Sequence, residues 1–298
     1  MLSYRHSFHA GNSADVIKHA VLVFCLKYLT QKQKPLLCID THAGAGAYRL
    51  DECGEWKNGT GRLLAIADKS AMPAPVSEYL DLANEENGIY PGSPLLMGKL
   101  LRKQDRLVCF ELHPQDFLKL ENAMNTRRGG FSQNGDSCVN ASGNFLPKIE
   151  TRNEDGPLSL KSLLPPLSGR GLVLVDPSWE EKDEYKNIPQ ILSNALARFS
   201  QGTYIVWYPV LKKPKTFLPD SESIGETLFR LYNGNRCRLE VYNPMAETGI
   251  HSPRGMSGSG LVIYNPPWTL NPALNEMLPF LAENLAEKGK WNLEWNNK

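Results

Sequence analysis

The sequence predicts an α/β fold in which a mostly parallel sheet of seven strands is covered by helices on both faces. Short apolar runs rich in β-branched residues recur along the chain, and longer stretches with helical spacing separate most of them. This alternation is typical of parallel strands joined by right-handed helical crossovers. A chain of 298 residues is long enough to bury a substantial core.

Seven segments have the composition of buried strands: residues 36–40, 107–111, 148–151, 171–176, 203–208, 236–242 and 260–265. The gap between the first two is far longer than a crossover helix needs. We therefore interpret residues 48–92 as an inserted small helical subdomain, and residues 1–47 and 93–298 as the main domain. Residues 127–145 and 246–258, rich in Gly and Ser, predict two long loops.

Composition excludes several classes of protein. The chain has 33 Lys and Arg against 32 Asp and Glu, so a nucleic-acid surface would need locally clustered charge. Its six cysteines show no short paired spacing, which favours a reducing, cytoplasmic location. No apolar stretch near the amino terminus is long enough to cross a membrane, and we expect a monomer without membrane contacts.

The first predicted strand ends in a glycine-rich turn that contains His42, Gly44 and Gly46. Glycines at such a turn let the backbone approach a nucleotide-like ligand closely. The dinucleotide fingerprint would need a third glycine and an acidic residue about 20 positions later, and both are missing. Glu111, at the end of the second strand, is a carboxylate that could hold both ribose hydroxyls. The alternative is a turn with a purely structural role.

The fourth predicted strand ends in Asp176-Pro177-Ser178-Trp179, close to the Asp/Asn-Pro-Pro-aromatic signature of amino-group methyltransferases. The exocyclic amine of a base is a poor nucleophile because its lone pair is delocalised into the ring. A carboxylate and the next carbonyl can accept both N–H bonds and help the nitrogen become pyramidal. Proline stiffens the turn, and the aromatic side chain can stack on the base. The alternative is an ordinary Asp-Pro turn.

A second match to this signature, Asn265-Pro266-Pro267-Trp268, closes the seventh predicted strand. Chain order favours Asp176, because the signature follows the fourth strand of a methyltransferase sheet. A circularly permuted enzyme could use Asn265 instead.

The amino-terminal block from Tyr4 to His19 combines aromatic, basic and histidine side chains. His6, His9 and His19 lack a clear fourth ligand, so we expect no metal site. Tyr, Arg, His and Lys side chains suit phosphates and stacked bases. Asn12 to Asp15 could cap a helix that begins at Val16.

Together these motifs resemble the bacterial RlmJ family, whose members methylate the exocyclic amine of an adenine in large-subunit (23S) ribosomal RNA with S-adenosyl-L-methionine. The resemblance spans nearly the whole chain and rests on the amino-terminal block, the glycine turn and five short segments: Tyr90 to Pro94, Phe110 to Pro114, Asp155-Gly156, Asp176-Pro177 and Trp207 to Pro209. It implies a Rossmann-like class I methyltransferase fold with a helical insertion. Family members have also been linked with the use of external DNA, which makes DNA a second partner to test.

The resemblance also implies roles for individual residues. Asp176 would receive the amine proton, with Pro177 and Trp179 completing the catalytic corner, and Asp155 and Gly156 would contact the adenine of the cofactor, with Asp136 as the rival for that role. Tyr4, Arg5 and His6 would contact the RNA. The remaining cofactor residues would be Lys18, His19, His42, Gly44, Ser93 and Glu111.

The sequence departs from the family at Ser178, where a second proline is expected, and at Trp179, where tyrosine is commoner. Loss of the proline could loosen the corner, and a misplacement near 1 Å can lower the rate on the order of a hundredfold. Two other functions therefore stay open. One is a cofactor-binding nucleic-acid protein with weakened chemistry, and the other is a nicotinamide-dependent oxidoreductase, which the missing third glycine disfavours.

Overall fold

The computed structural model describes residues 6–84, 88–127, 147–211, 224–244, 256–286 and 288–297. The long loops predicted at 127–145 and 246–258 lie largely outside these residues, as does Asp136. The described helices are α1 His6–His9, α2 Ser13–Leu29, α3 Thr60–Leu64, α4 Ala74–Ala83, α5 Ser93–Leu100, α6 Pro114–Arg127, α7 Gly156–Leu163, α8 Glu184–Arg198, α9 Ile224–Arg230 and α10 Leu270–Leu285. The strands are β1 Leu37–Asp40, β2 Ala47–Arg49, β3 Ile89–Pro91, β4 Arg106–Phe110, β5 Lys148–Arg152, β6 Gly171–Val175, β7 Thr203–Leu211, β8 Arg236–Tyr242, β9 Met256–Tyr264 and β10 Lys290–Asn296.

The central sheet has eight strands in the order β10-β8-β9-β7-β6-β1-β4-β5. Five neighbouring strands, from β5 to β7, are parallel, whereas β9 is antiparallel to both β7 and β8, and β10 is antiparallel to β8. This arrangement confirms the predicted mostly parallel α/β sheet and all seven predicted strands. The predicted strand number was wrong by one, because β10 adds an eighth strand at the edge.

Helices cover both faces of the sheet, and the strands alternate their side chains between two hydrophobic clusters. On the first face, Cys38 and Leu174 pack with residues of α2, α4, α5, α6 and α10. On the second face, Ile39 and Val175 pack with residues of α7, α8 and α9. The inner parallel strands β4, β1, β6 and β7 are therefore apolar on both sides, which explains their continuous apolar runs in the sequence, whereas the edge strand β5 is mostly polar.

The segment predicted as an insertion begins in β2 and ends just after β3, and these two strands form a separate antiparallel ribbon. Between them lie α3 and α4, whose Leu63 and Tyr79 are buried in the first-face cluster together with α2 and α10. The insertion thus lies on the first face of the sheet. Its treatment as a subdomain of its own stays a prediction.

The sheet has a switch point at β1, because β4 and β6 lie on opposite sides of it. The connections that leave β1 and β6 at their carboxyl ends diverge there and open a crevice. α2 points its amino-terminal end into the same region. It begins at Ser13, three residues before the predicted start, because Asn12 Oδ1 accepts the N–H of Asp15 at 3.0 Å.

Candidate active site

A cleft of about 1670 Å³ opens at the carboxyl edge of the parallel strands. It brings together every predicted site residue whose side chain is described: Lys18, His19, His42, Gly44, Ser93, Glu111, Asp155, Gly156, Asp176, Pro177 and Trp179. Tyr4 and Arg5 lie outside the described residues, and of His6 only the backbone is described, as the first residue of α1.

Lys18 joins α2 to the end of β6. Its Nζ donates to Asp15 Oδ1 at 2.9 Å and to Asp176 Oδ2, and its side chain is only 5% exposed. Burial alone would lower the pKa of Lys18, but the carboxylates of Asp15 and Asp176 outweigh it and raise the pKa well above its usual range. An ammonium group therefore lies on the floor of the cleft. Its partner Asp15 was missed in the sequence, although an acid three residues before a lysine on a helix is a recognisable pairing signal.

Asp176 keeps one oxygen for a ligand. Its Oδ2 binds Lys18, whereas Oδ1 and the carbonyl oxygen of Pro177 have no hydrogen-bond donor among the described residues. The side chain of Asp176 is 16% exposed. Two residues in succession along the chain thus line the cleft, each with an acceptor that has no donor among the described residues.

Ser178 is tied into the corner although it cannot supply the rigidity of proline. Its Oγ donates towards Glu184 at 3.3 Å and accepts the N–H of Glu180 at 3.2 Å. These bonds anchor the turn to the start of α8. The looseness that the sequence predicts at Ser178 is therefore opposed by local hydrogen bonds.

Trp179 is the most constrained residue of the corner. Its φ of 53° lies in the left-handed region that favours glycine, its side chain is 1% exposed, and its Nε1 donates to the carbonyl oxygen of Trp207 at 2.9 Å. The ring also packs against Tyr185. Stacking of Trp179 on a target base stays a prediction, and it would require the ring to leave this packing.

Asp40, at the end of β1, is a buried carboxyl group that sequence reasoning did not assign to the site. Its Oδ2 accepts the hydroxyl of Ser93 at 2.7 Å and its Oδ1 accepts the N–H of His42 at 3.2 Å. Burial raises the pKa of Asp40 to about 7, and the nearby Asp176 carboxylate adds to the rise. Asp40 therefore holds two predicted cofactor residues in place from below the cleft floor.

His42 connects the glycine turn of β1 to the corner of β6. Its Nδ1 accepts the N–H of Asp176 at 3.3 Å and lies 2.8 Å from the hydroxyl of Thr41. Burial lowers the pKa of His42 to about 4, so the ring is neutral near pH 7. Because Nδ1 accepts a hydrogen bond, Nε2 carries the proton.

We expect the Asp40→Asn variant to gain stability relative to the unmodified protein as pH rises. The pKa of Asp40 lies above its value of 3.8 in an unfolded chain, so ionisation is disfavoured in the folded state. The free-energy cost of ionising Asp40 in the folded protein is absent below its unfolded pKa of 3.8 and complete above its folded pKa of about 7. Between pH 5 and 7.5 the difference in unfolding free energy should change by on the order of 2 kcal/mol in favour of the variant. Urea titrations at both pH values measure it, and an unchanged difference would contradict the burial of a carboxyl group here.

The backbone of the glycine turn after β1 is hydrogen-bonded to the carboxylate of Glu111 at the end of β4. Glu111 accepts the N–H of Gly44 at Oε2, at 2.9 Å, and the N–H of His113 at Oε1, at 2.7 Å. Gly44 has a φ of 59°, and a side chain there would lie 2.1 Å from the hydroxyl oxygen of Tyr48. Glycine is thus required at this position. Partial burial raises the pKa of Glu111, yet each oxygen retains lone pairs for further donors.

Asp155 and Gly156 begin α7 at the rim of the same cleft. The Asp155 carboxylate accepts the N–H of Leu158 at 2.9 Å as the helix cap. Leu158 and Leu112 line this part of the cleft with side chains that are 52% and 60% exposed. Exposed apolar side chains beside a helix cap are suited to the faces of a planar ring.

Gly156 is packed against the backbone that follows β1, so we expect Gly156→Ala to be destabilising. The added Cβ would lie 2.2 Å from the carbonyl oxygen of Thr41, and backbone cannot move aside as a flexible side chain can. A loss of about 2 kcal/mol is expected, together with weaker cofactor binding as α7 shifts. Thermal unfolding measures the loss, with Lys161→Ala on the exposed side of α7 as the control. Equal melting temperatures for the two variants would contradict this packing.

His19 lies at the back of the cleft, 1% exposed. Its Nδ1 is 2.7 Å from the hydroxyl of Tyr90, which in turn is 2.9 Å from the hydroxyl of Tyr79. The imidazole also stacks on Tyr90 with centroids 5.9 Å apart. His19 is thus a packed, hydrogen-bonded residue that borders the cleft, and its contact with a cofactor stays a prediction.

Asn265 lies at the opposite edge of the sheet from Asp176. It follows β9, which is antiparallel to β7, and its Nδ2 donates to the carbonyl oxygens of Ser200 and Gly202 at 2.7 Å each. These carbonyls immediately precede β7, at the amino ends of the parallel strands. The second match to the signature is therefore a turn cap remote from the cleft, as chain order favoured.

The amino-terminal block docks on the insertion through Glu55, a residue that the sequence did not single out. Its Oε2 accepts the Nδ2–H of Asn12 at 3.0 Å and lies 2.9 Å from His9 Nδ1. Thr60 N–H donates to the carbonyl oxygen of Gly11 at 2.9 Å. The described part of the block thus forms the wall of the cleft nearest the insertion.

Within the described residues, no helix combines the length and apolar character that a membrane span requires. That part of the chain also contains no group of three or more His, Cys, Asp or Glu side chains placed to hold a metal ion.

Comparison with known proteins identifies relatives over nearly the full length. The family model described as "Ribosomal RNA large subunit methyltransferase D, RlmJ" matches residues 33–297. Two proteins named ribosomal RNA large subunit methyltransferase J are similar to the chain. The one from Haemophilus influenzae is 37% identical, with 99% of each chain covered, and the one from Escherichia coli is 36% identical, with 97% of this chain and 96% of the relative covered.

A crystal structure of a protein from Legionella pneumophila is also similar, at 34% identity and a TM-score of 0.79, with 97% of this chain and 99% of that chain covered. The family model covers most of the chain, and both curated relatives are more than 30% identical over nearly the full length of each chain. The chain therefore belongs to the RlmJ family of ribosomal RNA large subunit methyltransferases.

Proposed function

We propose that this protein transfers a methyl group from S-adenosyl-L-methionine to the exocyclic amine, N6, of an adenine in 23S ribosomal RNA, in the cytoplasm. The observation that carries the proposal is the Asp176-Pro177 corner, which lines the cleft with one carboxylate oxygen bound by Lys18 and two acceptors without a donor among the described residues. Membership of the RlmJ family supports the same reaction and substrate.

The two acceptors suit an amine with two N–H bonds. Asp176 Oδ1 and the Pro177 carbonyl oxygen each accept one of them, which withdraws the nitrogen lone pair from the ring and directs it towards an electrophile. Lys18 donates to Oδ2 and so fixes the orientation of the carboxylate. After transfer the nitrogen is cationic and strongly acidic, so its proton passes to Asp176 Oδ1 and then to water in the open cleft.

S-adenosyl-L-methionine, when bound, supplies a methyl group on a positively charged sulfur. The residues present fit its parts. Glu111 suits the ribose hydroxyls, Leu112 and Leu158 suit the faces of the adenine ring, and the one remaining N–H of Lys18 suits a carboxylate. Gly44 and Gly156 let the backbone lie close to the ligand, while His19, His42, Ser93 and Asp155 complete the walls.

The cleft has room for two ligands. Sites for one drug-sized ligand occupy roughly 300–1,000 Å³, and this cleft measures about 1670 Å³. The excess suits a nucleotide turned out of its stack beside the cofactor, at a cost of a few kcal/mol. Positioning of the two reactants then carries most of the catalysis.

The test is methyl transfer to unmodified 23S ribosomal RNA with a tritiated methyl group, followed by digestion and identification of the methylated nucleoside. N6-methyladenosine is the expected product. Titration with S-adenosyl-L-methionine and with NAD separates this function from an oxidoreductase, which would bind NAD. Cofactor binding without transfer to RNA would instead support the weakened nucleic-acid-binding protein, and DNA binding and self-association are measured with the same sample.

A further inference from the structure

Among the described residues, two opposite rims of the cleft differ in charge. Arg49 on β2 and Arg62 on α3 line the rim formed by the insertion, and both side chains are exposed. The rim that follows the catalytic corner carries four acidic residues that line the cleft, Glu180, Glu181, Asp183 and Glu184, against the one cation of that segment, Lys182. The insertion lies on the first face of the sheet, whereas this acidic segment leads into α8 on the second face. A polyanion is therefore attracted to one side of the cleft and repelled from the other.

The side chains of Arg49 and Arg62 do not hold parts of the described fold together. Neither has a carboxylate or carbonyl partner within the described part of the chain, in contrast to Arg102, Arg106, Arg170 and Arg238, which are all bound to acceptors. Glu55, an acidic residue that lines the same rim, accepts from Asn12 and lies 2.9 Å from His9 Nδ1. The two guanidinium groups thus remain available to an external anion, and their planar form suits phosphate oxygens.

We infer that Arg49 and Arg62 bind backbone phosphates of the RNA strand next to the target adenine, so that the strand enters along the insertion rim and leaves the acidic rim uncovered. This inference rests on the proposed RNA substrate and assigns it a path. It also assigns the insertion a role in substrate binding. Because phosphate contacts position a strand without reading its sequence, these arginines set affinity and register while the pocket selects the base.

Binding to phosphates has a characteristic dependence on salt. Neutralising a phosphate releases counterions, so the slope of log affinity against log salt becomes shallower by about 0.7 for each phosphate of a single strand that the protein no longer neutralises. Arg49→Ala and Arg62→Ala should each weaken RNA binding about three- to tenfold near physiological salt and reduce the slope by close to that amount. The double variant should show about twice the reduction in slope, and the affinity for S-adenosyl-L-methionine should not change.

The experiment measures the affinity of the full-length protein for in-vitro-transcribed 23S ribosomal RNA over a series of salt concentrations. Lys69→Ala is the matched control, because Lys69 is an exposed cation on the insertion that does not line the cleft. Arg49→Glu and Arg62→Glu add a repulsive charge and should weaken binding further. Unchanged salt slopes in the arginine variants, or an equal loss of affinity in Lys69→Ala, would overturn the inference.

The readout distinguishes this inference from the proposed function. If the unmodified protein binds RNA without methylating it, and the salt slope is still reduced in the arginine variants, the phosphate path stands and the proposed reaction fails. If the unmodified protein methylates RNA and the variants keep both the salt slope and the Michaelis constant, the reaction stands and the phosphate path fails.

Discussion

Replacing Asp176 by alanine is expected to lower the methyl-transfer rate by at least about a hundredfold while the affinity for S-adenosyl-L-methionine stays within a small factor of its original value. The variant removes the one free carboxylate oxygen of the corner and releases Lys18 from the end of β6. The cofactor residues at the ends of β1, β4 and β5 are untouched. Single-turnover transfer to ribosomal RNA and calorimetric cofactor titration measure the two quantities separately.

Asn265→Ala is the matched control for this variant, since the same signature surrounds it. Asn265 supports a turn through two hydrogen bonds, so its loss should lower the melting temperature and leave the turnover of the folded enzyme intact. An inactive Asn265→Ala protein with normal folding, beside an active Asp176→Ala protein, would assign the chemistry to the other edge of the sheet.

Lys18→Met is expected to have the largest effect on stability. It leaves the buried carboxylate of Asp15 and the partly exposed carboxylate of Asp176 without their shared counter-charge, and removing one partner of a buried pair costs about 3–5 kcal/mol. Denaturant titrations of the variant and the unmodified protein measure the loss.

Lys27→Met provides the comparison on the same helix. Lys27 forms an exposed ion pair with Glu78 at 2.9 Å, with about two fifths of each side chain in contact with solvent. Such a pair contributes at most about 1 kcal/mol. Similar losses for Lys18→Met and Lys27→Met would show that the triad on the cleft floor is not desolvated as described.

Periodicity was sufficient to predict the strands of the core, but the edge strand β10 was missed. In the core strands, burial on both faces produces continuous apolar runs that stand out in the sequence. β10 carries only Trp291, Leu293 and Trp295 at alternate positions among polar residues, and Trp291 is 39% exposed. An edge strand buries little area, so its signal resembles that of a surface loop.

In the candidate site, sequence reasoning found the residues that follow strands and missed those that support them. Asp176, Glu111 and Gly44 lie at strand ends, where parallel topology forces side chains together. Asp40 was missed because its partner Ser93 lies 53 residues away and only the tertiary structure brings the two within hydrogen-bond distance, whereas Asp15 was missed although its partner Lys18 lies three residues on along the same helix. The burial of Trp179 depends on its left-handed backbone, which a motif does not reveal.

The hydrogen bond from the Asp176 amide to His42 couples the glycine turn after β1 to the Asp-Pro corner after β6. Substitutions in the glycine turn and in the Asp-Pro corner should therefore be non-additive, with interaction energies of about 0.5–3 kcal/mol in double-mutant cycles. A chimera that takes the Asp-Pro corner from a relative, for instance to place a proline at Ser178, would also need the residues that surround His42 in that relative.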